Sequence, residues 1–352
     1  MFHTKAYMKR LIYPFFIVAS ILASTPAAFS QNISDKISKS EYMPEIHGTI
    51  RAKYEYEPPI GKGRFEIRNA RLSVEGKIIP IVRYKAEIDL SDEGSIKMLD
   101  AYIRLQPKEN LKFTFGQMRV PFTIDAHRSP HLQYFANRSF IAKQVGNVRD
   151  VGAAASWTFG SYIPLTLEGG IFNGSGLTNQ KNFWTNNYNF SFKAFTMISD
   201  CLNVTLSCQK ANVGDINVMM YDAGAYWENA RWHIEAEYLR KNYAHNSFSG
   251  VNAIDAFAAY RLPLKKGSSA FSFLGRYDYM SDHSNGNKDE NGNLALSDPE
   301  RHRLTGGITL SLGKKNLQAD IRLNYEQYFY NKEAIPSISE RNKIVAEFVA
   351  HF

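Results

Sequence analysis

Apolar and polar residues alternate along this chain with a period of two. In 82–90, Val82, Tyr84, Ala86, Ile88 and Leu90 share one face, and Arg83, Lys85, Glu87 and Asp89 share the other. In 99–105, Leu99, Ala101, Ile103 and Leu105 oppose Asp100, Tyr102 and Arg104. In 317–325, Leu317, Ala319, Ile321, Leu323 and Tyr325 oppose Gln318, Asp320, Arg322 and Asn324. Residues 70–77 repeat the pattern. Such segments read as strands. The pattern predicts sixteen: 46–56, 65–77, 81–91, 97–106, 110–118, 149–160, 164–173, 188–199, 202–211, 219–228, 231–243, 253–262, 269–281, 301–312, 316–330 and 341–352. Most are long enough for a tilted strand to cross a bilayer, about 9–11 residues.

Water-soluble sandwiches also alternate, so the connections matter. Counted from the first, the odd ones read as long or moderate: 57–64, 92–96, 119–148, 174–187, 212–218, 244–252, 282–300 and 331–340. The even ones read as short turns, among them Ile78-Ile79-Pro80, Pro107-Lys108-Glu109, Asn229-Ala230 and Gly313-Lys314-Lys315. Short turns on one side and long loops on the other mark an outer-membrane barrel. The fold expected is all-β, a 16-stranded antiparallel transmembrane β-barrel with periplasmic turns and both termini in the periplasm. Closure satisfies every backbone polar group in lipid, where an open sheet edge is not tolerated. Sixteen strands leave room for an aqueous channel.

The N-terminus changes the picture next. Lys5, Lys9 and Arg10 precede a short apolar run, Leu11 to Ala23, and small residues around Ala28 and Ser30. That is the pattern of a secretory signal peptide, 1–30, cut before Gln31. Residues 31–45 form a short polar lead-in, and 46–352 the barrel. Afterwards no apolar stretch reaches helix-spanning length. The last strand ends Ile344, Ala346, Phe348, Ala350, Phe352 on its outward face. Bacterial barrels commonly end on such an aromatic, so Phe352 is the expected signal for the barrel assembly machinery. Tyr54, Tyr56, Trp157, Tyr162, Trp227, Trp232, Tyr328 and Tyr330 fall near strand ends, as interfacial girdles require.

The connection 119–148 is the longest and carries Phe122, Ile124, Leu132, Tyr134, Phe135, Phe140 and Ile141. Long loops are usually functional or disordered, and this one is too apolar for a solvated tail. It is expected to fold into the lumen and narrow it. Arg119, Arg128, Arg138 and Lys143 oppose only Asp125 there. Inward positions nearby add Arg71, Arg83, Lys85, Arg104 and Arg149. Rings of Arg and Lys select anions, and a narrow wall focuses their field. Guanidinium suits phosphate through its forked donors. Glu75, Glu87, Asp89, Asp100 and Asp150 share the same strands, so general diffusion through a mixed lumen stands beside anion preference.

Composition excludes several classes. Removing Lys5, Lys9 and Arg10 from a formal charge of +8 leaves +5, with no basic run that would suggest nucleic acid. Cys201 and Cys208 fall on opposite faces of a strand, about 23 Å apart at roughly 3.3 Å per residue, too far to bridge. His127 and His131 are separated by Ser129-Pro130, which breaks any helix between them, so they make a poor metal pair. Asn285 to Asn293 has a calcium-loop composition without the terminal Glu. Gly174-Ser175-Gly176 lacks nucleophile-elbow spacing, and no motif joins Ser to a base. No enzyme, cofactor or metal is expected. A surface adhesin or receptor is a remaining alternative, and no plug domain precedes the first strand.

The run Arg64-Phe-Glu-Ile-Arg68-Asn69-Ala70-Arg71-Leu72-Ser-Val-Glu-Gly76, then Leu99-Asp100-Ala101-Tyr102-Ile103, Phe115-Gly116-Gln117-Met-Arg119-Val-Pro121-Phe122, Asn137-Arg138-Ser-Phe140 and Arg149-Asp150-Val-Gly152 resembles the phosphate-selective porin O and P family. The likeness covers about 46–160. It implies a 16-stranded, usually trimeric channel in the bacterial outer membrane, with a ladder of lumen arginines and lysines at its constriction. By position Arg68, Arg71, Arg119, Arg128, Arg138 and Arg149 correspond to that ladder. The second half shows no dense ladder. Implied partners are small anionic or polar solutes and outer-membrane lipid.

Overall fold

A computed structural model describes residues 42–145, 149–178, 180–213, 215–264, 269–314, 317–331 and 336–352. The chain divides into Met1–Pro44 and Glu45–Phe352. The predicted signal peptide and most of the lead-in lie outside the described residues.

The second unit is a closed barrel of sixteen strands. They run Glu45–Glu57 (β1), Lys62–Ile79 (β2), Val82–Asp92 (β3), Ser95–Lys108 (β4), Leu111–Arg119 (β5), Arg149–Phe159 (β6), Leu165–Phe172 (β7) and Asn189–Ser199 (β8). The second half is Leu202–Val213 (β9), Ile216–Glu228 (β10), Trp232–Tyr243 (β11), Val251–Pro263 (β12), Ser269–Met280 (β13), Arg301–Lys314 (β14), Leu317–Tyr330 (β15) and Lys343–His351 (β16). Each pairs antiparallel with its neighbours, and β1 pairs with β16 from Thr49↔His351 to Tyr56↔Ile344. All sixteen predicted strands are present.

Burial is inverted relative to a water-soluble protein. On β15, Leu317, Ile321, Leu323 and Tyr325 are exposed, while Asp320, Arg322, Asn324 and Glu326 are buried. On β16, Phe348 is exposed and Glu347 is buried. The alternation thus puts apolar groups outward and charged groups in the lumen. Phe352 completes the seam. Its backbone exchanges hydrogen bonds with Gly48, N to O, at 2.7 and 3.0 Å. A Cβ at Gly48 would lie 2.1 Å from the Phe352 ring, so only glycine lets the ring cross β1 there.

Three expectations are corrected. The connections expected at 57–64, 92–96 and 212–218 are as tight as the turns opposite. Glu57 pairs with Lys62, Asp92 with Ser95, and Val213 with Ile216, because the strands keep pairing beyond the apolar pattern. The long connections are 120–148, 173–188, 244–250, 281–300 and 331–342. Leu99 does not face outward. Glu87 pairs with Asp100 and Ile88 with Met98, so Leu99 is the extra residue of a bulge and is buried. Tyr328 is no girdle residue. Its side chain is buried in the lumen and donates to Glu326 Oε2 at 3.0 Å.

Candidate functional site

The connection 120–148 enters the barrel, as its apolar content predicted. Val120, Phe122, Phe140 and Ile141 are buried with Val218, Leu239, Val251 and Met280 of the wall. Its path is set by polar anchors all along one side of the wall. Ser191 on β8 donates to Pro121 O (2.5 Å), and Lys193 to Thr123 O (2.5 Å). Thr123 N donates to Ser207 Oγ on β9 (3.1 Å). Ile124 N and Asp125 N both donate to Glu237 on β11. Phe140 N donates to Asp278 on β13 (3.2 Å), and Ala136 N to Asn324 on β15 (2.8 Å). Arg51 on β1 donates to Gln133 (2.5 Å) and to Ala136 O (2.8 Å).

Two local features show how firmly the segment is held. Thr123 has φ +59°, a conformation unfavourable for a β-branched residue, and persists between Lys193 and Ser207. Gly224 on β10 faces Ile124, and a Cβ there would lie 2.6 Å from Ile124 Cδ1. The small residue is what lets the loop lie flat on the wall.

Arg128 is the strongest anchor. It meets Glu235 on β11 at 2.5 Å and Asp125 at 3.1 Å, and its guanidinium lies over Tyr134 and Phe257. Burial alone would lower its pKa, but Glu235 and Asp125 carry it upward. Burial would raise Asp125, yet Arg128, Arg138 and Arg276 hold it below the ordinary carboxylate range. Asp125 also accepts from Ser139 Oγ at 2.8 Å, tying the start of the loop to its end.

The anchors occupy β8 to β16 and β1. The remaining wall, β2 to β7, faces a cleft of about 370 Å³ beside the loop. Arg104, Lys112, Lys85 and Arg119 line it, with Asp100 and Glu168. A second cleft of about 210 Å³ lies on the loop's far side, lined by Lys53, Arg64, Arg68, Arg138, Lys143, Arg303 and Lys343 against Glu55 and Glu66.

The ten predicted lumen cations divide by their partners. Arg71 pairs with Asp89 (2.9 Å) and Glu87 (3.2 Å), and Arg149 with Asp100 (2.7 Å) and Glu87 (3.3 Å). Lys85 lies 3.5 Å from Glu87 and 3.7 Å from Glu75, and Lys143 pairs with Glu340. Arg68 is the extra residue of a bulge opposite Arg51 and Ala52, and is 3.8 Å from Glu66. Arg83 faces Arg104 across β3 and β4 and lines neither cleft.

Arg104, Arg119 and Arg138 have no carboxylate within 4.0 Å among the described residues. Arg104 donates to Thr114 Oγ1 (3.1 Å) and lies over the Tyr102 ring. Arg119 donates to the carbonyl of His127, and Arg138 only weakly to that of Ala126 (3.5 Å). Burial, with Arg119, Arg71 and Arg51 nearby, pushes Arg138 down to about 9, so it is charged at neutral pH. His127 and His131 turn to different partners. His127 turns back on its own segment, Nε2 donating to Val120 O, and His131 stacks on His351 with centroids 3.8 Å apart.

The second half, where no dense ladder was expected, also carries lumen cations. Arg276, Arg301, Arg303, Arg322 and Lys343 line β13 to β16. Each is matched by carboxylate: Arg303 with Asp278 (2.9 Å), Arg322 with Glu347 (3.0 Å), Lys343 with Glu55 (3.2 Å). Their inward parity was readable from alternation; their neutralisation was not.

Residues 47–195 match the family model described as phosphate-selective porin O and P. Over that region the chain is similar to this porin family. Among curated proteins none matches the sequence. Solved structures share the barrel at low identity. A loop-deletion mutant of the outer-membrane protein OmpT of Vibrio cholerae has a TM-score of 0.59 at 9% identity, covering 89% of this chain and 100% of that one. The outer-membrane channel DcaP of Acinetobacter baumannii has 0.57 at 11%, covering 89% and 98%. An anion-selective porin from Comamonas acidovorans has 0.57 at 9%, covering 88% and 99%. The chain thus has the fold of an outer-membrane channel barrel, with an inserted third loop.

Proposed function

We propose that this porin passes small hydrophilic solutes down their gradients with a bias towards anions, phosphate among them. The reading is carried by Arg104, Arg119 and Arg138, whose charge no carboxylate cancels at close range beside the clefts. Fixed charge in a narrow low-dielectric wall concentrates counter-ions. Guanidinium forks match the oxygens of phosphate. No bond is made or broken, and no cofactor is needed.

The rest of the assignment follows the same reading. Residues 1–30 direct export, the turn end faces the periplasm, and the assembly machinery reads Phe352. Three copies associate, as the resemblance implies, and OmpT of Vibrio cholerae is described in a trimer form. General diffusion is the second reading. It is favoured by Asp100 and Glu168, which line the same cleft as Arg104 and Arg119.

The test is a planar bilayer with the purified protein and a potassium chloride gradient. Stepwise conductance with an anion-directed zero-current potential, reduced by added phosphate, is expected. Arg119→Glu with Arg138→Glu changes the fixed charge by four units, and at ~1 kcal/mol per unit at close range in water should move the chloride-to-potassium permeability ratio by more than about tenfold. A potential near zero, unmoved by these changes, leaves general diffusion.

A further inference from the structure

The connection 281–300 is seated in the lumen by a group outside the constriction. His283 and Ser284 are buried. Beneath them lies Lys241 on β11, also buried, with no carboxylate within 4.0 Å among the described residues. Lys241 Nζ meets His283 Nε2 at 3.3 Å, donates to Ser284 O at 3.2 Å, and lies over the Tyr243 ring. The Tyr243 hydroxyl donates to Ser284 O (2.6 Å) and accepts from Ser284 N (3.1 Å).

This geometry dictates the protonation of His283. An ammonium only donates, so Nε2 must accept and carry no proton. The proton sits on Nδ1, which faces Asp298 Oδ2 at 3.6 Å. A second ring proton would set N–H against the Lys241 ammonium. Asp298 would then be shared between the charged ring and Arg301, 3.2 Å away, with Lys241 still against Nε2. Burial holds the ring below its ordinary range, against the pull of Asp298.

We propose that His283 is an acid-sensitive latch that holds the connection 281–300 over the lumen when neutral and releases it when protonated. The base of the connection hangs on the same residue. His283 N donates to Asp298 O (2.9 Å), and Asp298 N to His283 O (3.1 Å). Displacing the ring breaks that pairing. The latch is also joined to the constriction. Arg301 lies 3.7 Å from Glu340 and its guanidinium stands over Phe140, while Glu340 pairs with Lys143. Release at 281–300 therefore loosens the far end of the inserted loop.

The experiment is hydrogen exchange on the folded barrel in detergent micelles at pH 7.5 and pH 5, corrected for intrinsic rates. Amides of 283–298 should exchange about fivefold faster at pH 5, as local opening becomes easier. In His283→Gln, the side-chain oxygen accepts from Lys241 and the amide donates to Asp298, so the acid step should vanish. In Lys241→Met, a protonated ring meets no ammonium, and the step should shrink. No acid step in the native protein, or a step that survives His283→Gln, overturns the latch. So does a full step in Lys241→Met, which also decides the matter should His283→Gln be loose at both pH values.

Discussion

The two halves of the lumen wall use charge in opposite ways. Strands β8 to β16 carry Asp222, Glu235, Glu237, Asp255, Asp278, Glu326 and Glu347, all buried. The inserted loop and facing arginines cover this wall, and several of its carboxylates accept loop backbone N–H groups. Strands β2 to β7 pair Arg71, Lys85 and Arg149 with Glu87, Asp89 and Asp100, leave Arg104 and Arg119 without a close carboxylate among the described residues, and have no such cover. An acidic wall is thereby converted into scaffold, while unpaired guanidinium is left beside the clefts. Net charge is the wrong quantity to read in such a lumen. What matters is which charges are left unmatched.

Breaking the scaffold side should give the largest effect. Arg128→Leu leaves Glu235 and Asp125 without their cation, a loss on the order of 3 kcal/mol for a buried pair. The loop should detach, seen as a lower melting temperature and larger, noisier single-channel conductance. Glu237→Ala strands two loop N–H donors, costing about 1–3 kcal/mol. It should raise conductance while weakening ion preference, although no cation is touched.

Smaller changes sharpen the same contrast. Raising salt from 0.1 M to 1 M shortens the Debye length from about 10 Å to about 3 Å, so preference carried by the half-buried guanidiniums beside the clefts should fade. The melting temperature, set by buried pairs, should move far less. If preference holds at 1 M, a more enclosed charge sets it.

His131 gives the smallest effect. Burial, with His351 and Arg322 nearby, pushes its ring down to about 4. Its folded value thus lies below the unfolded one of about 6.5, so the folded state binds fewer protons between them. Stability at the loop tip is full above that window and declines as pH falls through it. His131→Phe keeps a ring against His351 and should flatten the decline, measured as melting temperature against pH.

Several features were legible in the residues themselves. Period-two alternation placed all sixteen strands, because lipid outside and water inside impose opposite demands on successive side chains. The apolar content of 119–148 foretold its burial. Arg119 and Arg138 were already candidates, and the order of their motifs carried the family. Loop lengths misled, since strand pairing at Glu57, Asp92 and Val213 depends on the neighbouring strand and not on local polarity. The bulges at Arg68 and Leu99 were hidden for the same reason: register belongs to two strands at once.

Alternation by itself thus determined the barrel, its lining and the identity of the lumen charges. Only the tertiary structure decided which of those charges meet a carboxylate and which do not. Arg128 and Arg138 look alike along the chain, ten residues apart on one loop. One meets Glu235 across more than a hundred residues of sequence and becomes an anchor. The other meets no carboxylate and keeps its field. Coulomb energy falls with distance in space, and distance in space between remote residues is set by closure of the sheet.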